Sequence, residues 1–365
     1  MRHNWDLKSF TDVATTITPI SKIEKSEYMK TGLYPIISQE DSLISGYWND
    51  PNDLTPHHAP VVIFGDHTRV LKYVDFEFTV GADGVKIIQP KDNLNAKFLY
   101  HYLHWLNIPS LGYSRHFKLI KEAKFSVPPL KVQEQIVAEF DKINEIIGDC
   151  KEAIRNLDTL AQSLFYDYFG DPLTNPKHWE ICKLGDKFET GSGGTPSKTV
   201  NEYWENGDIP WIGSNMCQNK IITETDGKFI TSLGLENSSA KVLELNTVLV
   251  ALVGATIGKV GLLQIPASTN QNIGFIKPNP TIAFPLYLFF VIKNLYSLFT
   301  NIGNGKFKMA NLSFIRNLPI MLPPLSLQNK FASQIEQIEQ QKKDLEETIA
   351  NMQTLLNSRM DYWFN

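Results

Sequence analysis

The segment that decides the fold runs from Pro128 to Phe169 and reads PPLKVQEQIVAEFDKINEIIGDCKEAIRNLDTLAQSLFYDYF. Proline is tolerated at a helix entrance, and after Pro129 the only helix-breaking residue of the segment is Gly148. Apolar side chains recur with spacings that alternate between four and three residues, which is typical of a coiled-coil seam. The seam positions are Ile136, Phe140, Ile143, Ile147, Cys150, Ile154, Leu157, Ala161, Leu164 and Tyr168. The pattern predicts one helix about 55 Å long, too long to bury its seam on one small domain.

The same pattern returns 195 residues later, where residues 323–364 read PPLSLQNKFASQIEQIEQQKKDLEETIANMQTLLNSRMDYWF. Eight of the ten corresponding seam positions are apolar, so we predict two long helices that pack on each other. Lys342 and Arg359 interrupt the second seam. Two interpretations are open. Either their charged ends reach water at the edge of the seam, or they fix the register or meet an acidic side chain of a partner.

Each predicted helix is preceded by a segment with the pattern of a small α+β domain. Runs of β-branched residues bounded by Gly, Pro and Asn predict strands within 60–88 and within 247–276. A shorter apolar helix is predicted after each set of strands, over 97–106 and over 286–300. The predicted boundaries are 1–130 for the first domain, 131–170 for the first helix, 171–325 for the second domain and 326–365 for the second helix.

Composition excludes several classes of protein. With 365 residues, 42% of them hydrophobic and 20% charged, the chain is long enough for two or three domains and is not disordered. No apolar run approaches the ~20 residues of a membrane span, and no apolar signal segment stands at the start. The three cysteines, Cys150, Cys182 and Cys217, form no CxxC pair, so we expect a reduced, cytoplasmic protein.

The net charge of −4 argues at first against a partner as acidic as nucleic acid. The acidic excess, however, lies on the predicted helices, which carry −4 over residues 131–170 and −2 over residues 326–365. The two predicted domains together carry +2. The net charge of the chain therefore combines two acidic helices with two domains that are neutral to slightly basic.

Several short motifs resemble phosphate-binding or metal-binding sites but lack the spacing or the residues that such sites require. The stretch from Gly254 to Val260 has the wrong glycine spacing for a phosphate-binding loop and lacks its Ser or Thr, so we predict a tight strand connection. Adjacent His57 and His58 would point to opposite faces of a strand, and His101 and His104 lie in an apolar helix where packing is favoured over metal binding. We predict no catalytic residues, no bound metal and no cofactor on this chain.

Three loops combine cations with polar or aromatic side chains. They are Gly112–Lys118, Gly303–Lys308 at the matching place in the second copy, and Gly193–Lys198 in the second copy alone. Arg, Lys, Ser and Thr on loops are suited to contacts with phosphates and base edges. These loops are the candidate nucleic-acid contacts, although such loops can also be merely solvated.

At this point the sequence resembles a known family, the specificity (S) subunits of type I restriction–modification systems. The resemblance rests on the two Pro-Pro-Leu-x-x-Gln helix entrances, the two aromatic helix ends and a set of motifs in the second copy. Those motifs are Gly193-Gly194-Thr195-Pro196-Ser197, Tyr203-Trp204, Gly207-Asp208-Ile209-Pro210-Trp211-Ile212, Thr256-Ile257-Gly258-Lys259-Val260-Gly261 and Thr269-Asn270-Gln271-Asn272. It covers the whole chain and is looser in the first copy, which lacks the Gly-Gly-Thr-Pro and Thr-Ile-Gly-Lys forms.

The resemblance implies an α+β protein in which two repeated target-recognition domains are separated by two long antiparallel coiled-coil helices. Each domain would read one half of a bipartite, asymmetric site on double-stranded DNA, and the coiled coil would set the spacer. Such a subunit resembles a non-catalytic scaffold that docks two modification subunits, which bind S-adenosylmethionine and methylate adenine, and two restriction subunits. The DNA contacts predicted on this basis are Tyr113, Arg115 and Lys118 in the first domain, and Lys198, Lys306 and Lys308 in the second.

Two other readings of the sequence remain open. One is a coiled-coil adaptor whose globular heads bind proteins and not DNA. The other is an enzyme, a hydrolase or methyltransferase fragment whose site the sequence does not reveal.

Overall fold

The computed structural model describes residues 5–58, 60–81, 84–301 and 309–365. The chain divides into two compact units, one formed by residues 1–152 with 345–365 and the other by residues 153–344. Each unit holds a globular head, the start of the long helix that follows that head, and the end of the other long helix. Within the described ranges, no helix combines the length and apolar composition that a membrane span requires.

The first head is built on a four-stranded antiparallel sheet in the order β2-β8-β5-β6, with a three-stranded sheet β4-β3-β7 and the pair β1-β9. Its elements are β1 (Asp6–Ser9), α1 (Phe10–Val13), β2 (Ala14–Ile17), β3 (Tyr34–Ile37), β4 (Gly46–Trp48), β5 (Val61–Gly65), β6 (Leu71–Val74), β7 (Thr79–Val80), β8 (Val85–Pro90), α2 (Ala96–Trp105), α3 (Phe117–Glu122) and β9 (Lys124–Val127). The long helix α4 (Leu130–Phe169) follows. Strand β5 is buried along its whole length, since it lies inside the sheet.

The second head repeats this plan with one more strand. Its sheets are β11-β18-β15-β16-β13, β14-β12-β17 and the pair β10-β19. Its elements are β10 (Ile181–Lys183), α5 (Leu184–Lys187), β11 (Thr190–Ser192), β12 (Ile209–Ile212), β13 (Lys220–Ile222), β14 (Phe229–Ile230), α6 (Ser232–Glu236), β15 (Val248–Ala251), β16 (Val260–Leu263), β17 (Ser268–Thr269), β18 (Ile273–Ile276), α7 (Pro285–Asn294), α8 (Tyr296–Thr300), α9 (Leu312–Arg316) and β19 (Pro319–Met321), followed by the long helix α10 (Leu325–Phe364). The helix predicted over 286–300 is thus two helices, α7 and α8, because the chain turns at the buried Leu295.

The two long helices run antiparallel, and each unit shows this by its own contacts. In the first unit, Ile143 and Ile147 of α4 share a buried cluster with Leu356 and Met360, near the end of α10. In the second unit, Ala161 and Phe165, near the end of α4, share a cluster with Phe331, Ile335 and Ile338 at the start of α10. The predicted antiparallel coiled coil is confirmed.

A buried glutamine anchors each long helix to its head. Gln133 donates from Nε2 to the carbonyls of Pro128 at 2.8 Å and Asn93 at 3.0 Å, and its Oε1 accepts the Asn95 N–H at 2.8 Å. Gln328 repeats the arrangement, with Nε2 donating to the Pro323 carbonyl at 2.8 Å and Oε1 accepting from the Phe284 backbone N–H at 3.0 Å. Both side chains are fully buried. The glutamine of the repeated motif thus connects the helix entrance to the first turn of α2 or α7.

The two cations in the second seam are ion-paired with α4, as the second of the open interpretations states. Lys342 Nζ lies 2.8 Å from Asp158 Oδ1 and 3.0 Å from Glu339 Oε1, all within the second unit. Burial opposes the charge on Lys342, but these two carboxylates outweigh it and raise the Lys342 pKa. Arg359 forms a two-pronged pair with Glu139 in the first unit and lowers the pKa of that carboxyl.

Candidate nucleic-acid interface

In the first head, two loops far apart in sequence are held together by Asp66 and His116. Residues 66–70 join β5 to β6, and residues 106–116 join α2 to α3. The Asp66 carbonyl accepts the His116 backbone N–H at 2.9 Å and contacts the His116 ring Nδ1 at 2.8 Å. The Asp66 carboxylate accepts the Phe117 N–H at 2.8 Å. Because Asp66 and His116 are both buried, these bonds attach the longer loop firmly to the sheet.

The structure places the three residues predicted in the first head on the surface of this loop and of the helix after it. The Tyr113 side chain is 100% exposed, and its ring stacks on His67 with centroids 5.5 Å apart and 16° between the planes. Arg115 is exposed two residues further on, and Lys118 is exposed in the first turn of α3. An exposed aromatic ring beside two cations offers both stacking area and charge to a nucleic acid.

Two further cations, Lys86 and Lys121, lie near this surface, although the local sequence does not indicate them. The ammonium groups of Lys86 and Lys121 lie 5.9 Å and 5.5 Å from the centre of the Phe117 ring. Lys86 comes from β8, about thirty residues before α3, and nothing in its local sequence connects it to that helix. We call Lys86, Arg115, Lys118 and Lys121 the first basic surface. Which residues form this surface depends on the pairing of β8 with its neighbouring strands. The spacing of residues along the chain does not reveal that pairing.

In the second head, the segment 193–198 packs tightly on its neighbours. The Trp211 indole N–H donates to the Gly194 carbonyl at 3.1 Å, and the Gly194 N–H donates to the Thr269 carbonyl at 2.8 Å. A Cβ atom at Gly194 would lie 2.3 Å from the Ala240 nitrogen, so only glycine fits there. Ser197 and Lys198, at the end of the segment, are exposed. The Ser197 carbonyl accepts the Trp204 indole N–H at 3.1 Å.

Amide side chains adjoin this segment and a second lysine. Thr195 hydrogen-bonds to Gln271, and Lys259 Nζ donates to Gln218 Oε1 at 2.8 Å. Amides can both donate to and accept from base edges, so Gln271 and Gln218 extend the set of candidate contacts. The predicted contacts Lys306 and Lys308 lie outside the described residues.

His101 of α2, where the sequence favours packing over metal binding, lies in the interior of the first unit. His101 is buried, and its ring packs 5.1 Å from that of Phe140 in α4. Its Nε2 lies 3.7 Å from Asp141 Oδ1. Burial disfavours the imidazolium more than Asp141 favours it, so the His101 pKa falls from its ordinary 6.5 to about 4. Within the described ranges, no group of three His, Cys, Asp or Glu side chains could hold a metal ion.

This buried histidine makes the stability of the first unit depend on pH. Between pH 6.5 and 4 the unfolded chain binds a proton at His101 that the folded chain does not, so stability falls as pH is lowered. We expect the unsubstituted chain to lose roughly 2 kcal/mol more than His101→Gln between pH 7.5 and pH 5, as measured by urea unfolding. Equal losses of unfolding free energy in the two proteins would contradict the role of His101 in this pH dependence. His178→Gln, an exposed position, serves as the control.

Comparison with known proteins gives a consistent result. The sequence matches the family model described as the type I restriction modification DNA specificity domain twice, over residues 2–156 and 176–352. The EcoR124I/EcoR124II type I restriction enzyme specificity subunit of Escherichia coli is 26% identical over 307 residues, which cover 79% of this chain and 72% of that protein. A putative type I specificity subunit of Haemophilus influenzae, S.HindORF215P, is 23% identical over 353 residues, covering 91% of this chain and 87% of that protein.

Two solved structures share the fold. The crystal structure of the type I restriction-modification S subunit from M. genitalium aligns with a TM-score of 0.61 at 14% identity, covering 99% of this chain and 96% of that one. A chain from a study of complex assembly and conformational transition of the type I R-M system aligns with a TM-score of 0.58 at 16% identity, covering 99% and 97%. The likeness in fold therefore extends over both heads and both long helices.

Proposed function

We propose, from the premise that this chain belongs to the type I restriction–modification DNA specificity family, that each of its two heads reads one half of a bipartite DNA site. Sequence-specific DNA recognition is the function of the chain. The observation that carries the proposal is the duplication: each family match spans one head and most of the long helix after it. Two heads of matching sheet plan can contact two separate stretches of one duplex.

The recognition domains in this proposal are residues 1–130 and 171–325. In the first, the first basic surface and Tyr113 would contact DNA. In the second, Lys198, Lys306 and Lys308 would do so, with Gln271 and Gln218 as added candidates. Support comes from the exposure of Tyr113, Arg115, Lys118 and Lys198, and from their attachment to loops that buried hydrogen bonds hold in place.

The helices 131–170 and 326–365 would set the length of DNA between the half-sites and dock partner subunits. We propose two modification subunits, carrying S-adenosylmethionine and methylating adenine, and two restriction subunits in the full cytoplasmic complex. A chain with two repeats can seat two identical partners on an asymmetric site, because each partner meets one repeat. The specificity chain itself would be non-catalytic.

A protein-binding adaptor without DNA contacts is not favoured, because the family match is to a DNA specificity domain.

The proposal is tested by assembling the chain with its modification subunits and measuring binding to duplexes. The target comes first, from methylation sequencing of cells that carry the complete system. Cognate duplex should bind at least a hundredfold more tightly than a duplex altered in either half-site. Equal binding of all duplexes would overturn the DNA-recognition role, and methyl transfer by the isolated chain would overturn the non-catalytic one.

Removing charge from the first basic surface should weaken binding in a salt-dependent way. For Arg115→Ala and Lys118→Ala, we expect roughly a tenfold loss of affinity each and a decrease of about one in the slope of log K against log salt, since each removes one phosphate contact. The matched control is Lys142→Ala, an exposed lysine of α4 paired with Glu145 at 2.8 Å. An unchanged salt slope in both loop variants would remove this surface from the DNA interface.

A further inference from the structure

The geometry of the first head points to His116 as a positioning residue for DNA recognition. We propose that its buried ring holds the loop 106–116 in the shape that presents Tyr113 and Arg115 to the duplex. The inference rests on the proposed DNA-binding role of this loop and adds to it a residue that touches no DNA.

The hydrogen bonds of the ring determine where its proton lies. Nε2 contacts the Leu111 backbone N–H at 2.9 Å, and because an N–H can only donate, Nε2 must be the acceptor. Nδ1 contacts the Asp66 carbonyl at 2.8 Å, and because a carbonyl can only accept, Nδ1 must carry the hydrogen. Both bonds exist together in one tautomer of the neutral ring.

Among the described residues, few other contacts hold the outer part of the loop. Arg69 Nη1 donates to the Ile108 carbonyl at 3.0 Å near its beginning, and the His116 backbone N–H bonds to Asp66 at its end. Between these points Tyr113 stacks on His67, and the bonds from Ser114 to Gly112 and from Gly112 to Ser110 are internal to the loop. The His116 ring ties the backbone of Leu111, two residues before Tyr113, to Asp66 at the end of β5. Losing that bond would free the segment that carries Tyr113 and Arg115.

The second head provides a contrast inside the same chain. There the position 195 residues after His116 is Asn311, which precedes α9 as His116 precedes α3. The Asn311 Oδ1 accepts the Phe314 N–H at 2.8 Å, and asparagine has no imidazole ring that could repeat the two bonds of His116. Substitution of His116 should therefore affect recognition of one half-site and leave the other unchanged.

The test uses the complex with modification subunits and three duplexes: the cognate site, one altered in the first head's half-site and one altered in the other. His116→Phe keeps the volume of the ring without either hydrogen bond, and His116→Gln restores a hydrogen-bond acceptor. We expect His116→Phe to lose about tenfold in cognate affinity and most of its discrimination at one half-site only, with His116→Gln recovering part of both.

Two controls separate the possible failures. Tyr113→Ala and Arg115→Ala test the loop itself. If they weaken binding while His116→Phe does not, the positioning role is wrong and the proposed function stands. If none of the loop variants changes binding, the DNA-binding role of the loop is wrong. Equal losses at both half-sites, together with a lower melting temperature for His116→Phe, would show a general structural role and overturn the inference.

Discussion

Replacing Gln133 by leucine is expected to lower the free energy of unfolding of the first unit by about 3–5 kcal/mol. The Asn95 N–H and the carbonyls of Asn93 and Pro128 would each lose the partner that the buried Gln133 side chain provides, and leucine offers no replacement. Such a loss corresponds to a decrease in melting temperature of about 10 °C for a unit of this size. Calorimetry and hydrogen exchange across the first unit would measure it.

The chain supplies two matched comparisons for this prediction. Gln135→Leu changes an exposed residue of the same helix and should alter the unfolding free energy by less than about 0.5 kcal/mol. Gln328→Leu removes the equivalent buried side chain, so the loss of protection should move to the second unit. If Gln133→Leu were as stable as Gln135→Leu, the glutamine would not be the anchor between helix and head.

Lengthening both long helices by one heptad is expected to shift the DNA spacer that the complex recognises. Seven residues inserted after Ile147 and seven after Leu345 preserve the seam, because the insertion equals its period. At 1.5 Å per residue each helix grows by about 10 Å, or about three base pairs at 3.4 Å each. The modified complex should bind a site with a spacer about three base pairs longer and lose at least a hundredfold on the original site. Binding to a library of spacer lengths gives the readout.

Two control insertions separate length from helix phase. Five residues at both positions add length but rotate the seam by about 140°, which should abolish specific binding at every spacer. Seven residues in one helix alone leave the two helices unequal and should destabilise the pair. An unchanged spacer preference after the double heptad insertion would show that the coiled coil does not measure the distance between half-sites.

The ion pairs of the seam make the two repeats unequal. Glu139 and Asp158 lie on α4, and their cations Arg359 and Lys342 lie on α10. At the positions 195 residues away the chain carries Gln334 and Leu164 in place of Glu139 and Arg359. It carries Gln353 and Ile147 in place of Asp158 and Lys342, so neither ion pair has a counterpart there. Within the described residues, Gln334 Oε1 is buried without a hydrogen-bond partner. The seam therefore distinguishes pairing of α4 with α10 from pairing of either helix with a copy of itself.

What the sequence determined by itself was local or repeated. The two long helices follow from a period of three and four residues sustained over ten positions, and the duplication follows from one constant offset. The exposed stretch with Tyr113, Arg115 and Lys118, which spans the loop and the first turn of α3, also follows from the sequence, because turn residues and cations stand next to one another in the chain. Each of these signals is complete within a short stretch, since helix and turn formation depend on neighbours a few residues apart.

What only the tertiary structure decided depends on contacts between distant residues. Asp66 meets His116 across fifty residues, and Arg359 meets Glu139 across 220. Composition and spacing carry no record of such partners, because a buried hydrogen bond or ion pair depends on sheet order and helix direction. The division of each helix between two units, with its start on one head and its end on the other, has the same origin. The repeated seam predicts that the two long helices pack on each other, but which residues meet across them is decided by the packing of the whole fold.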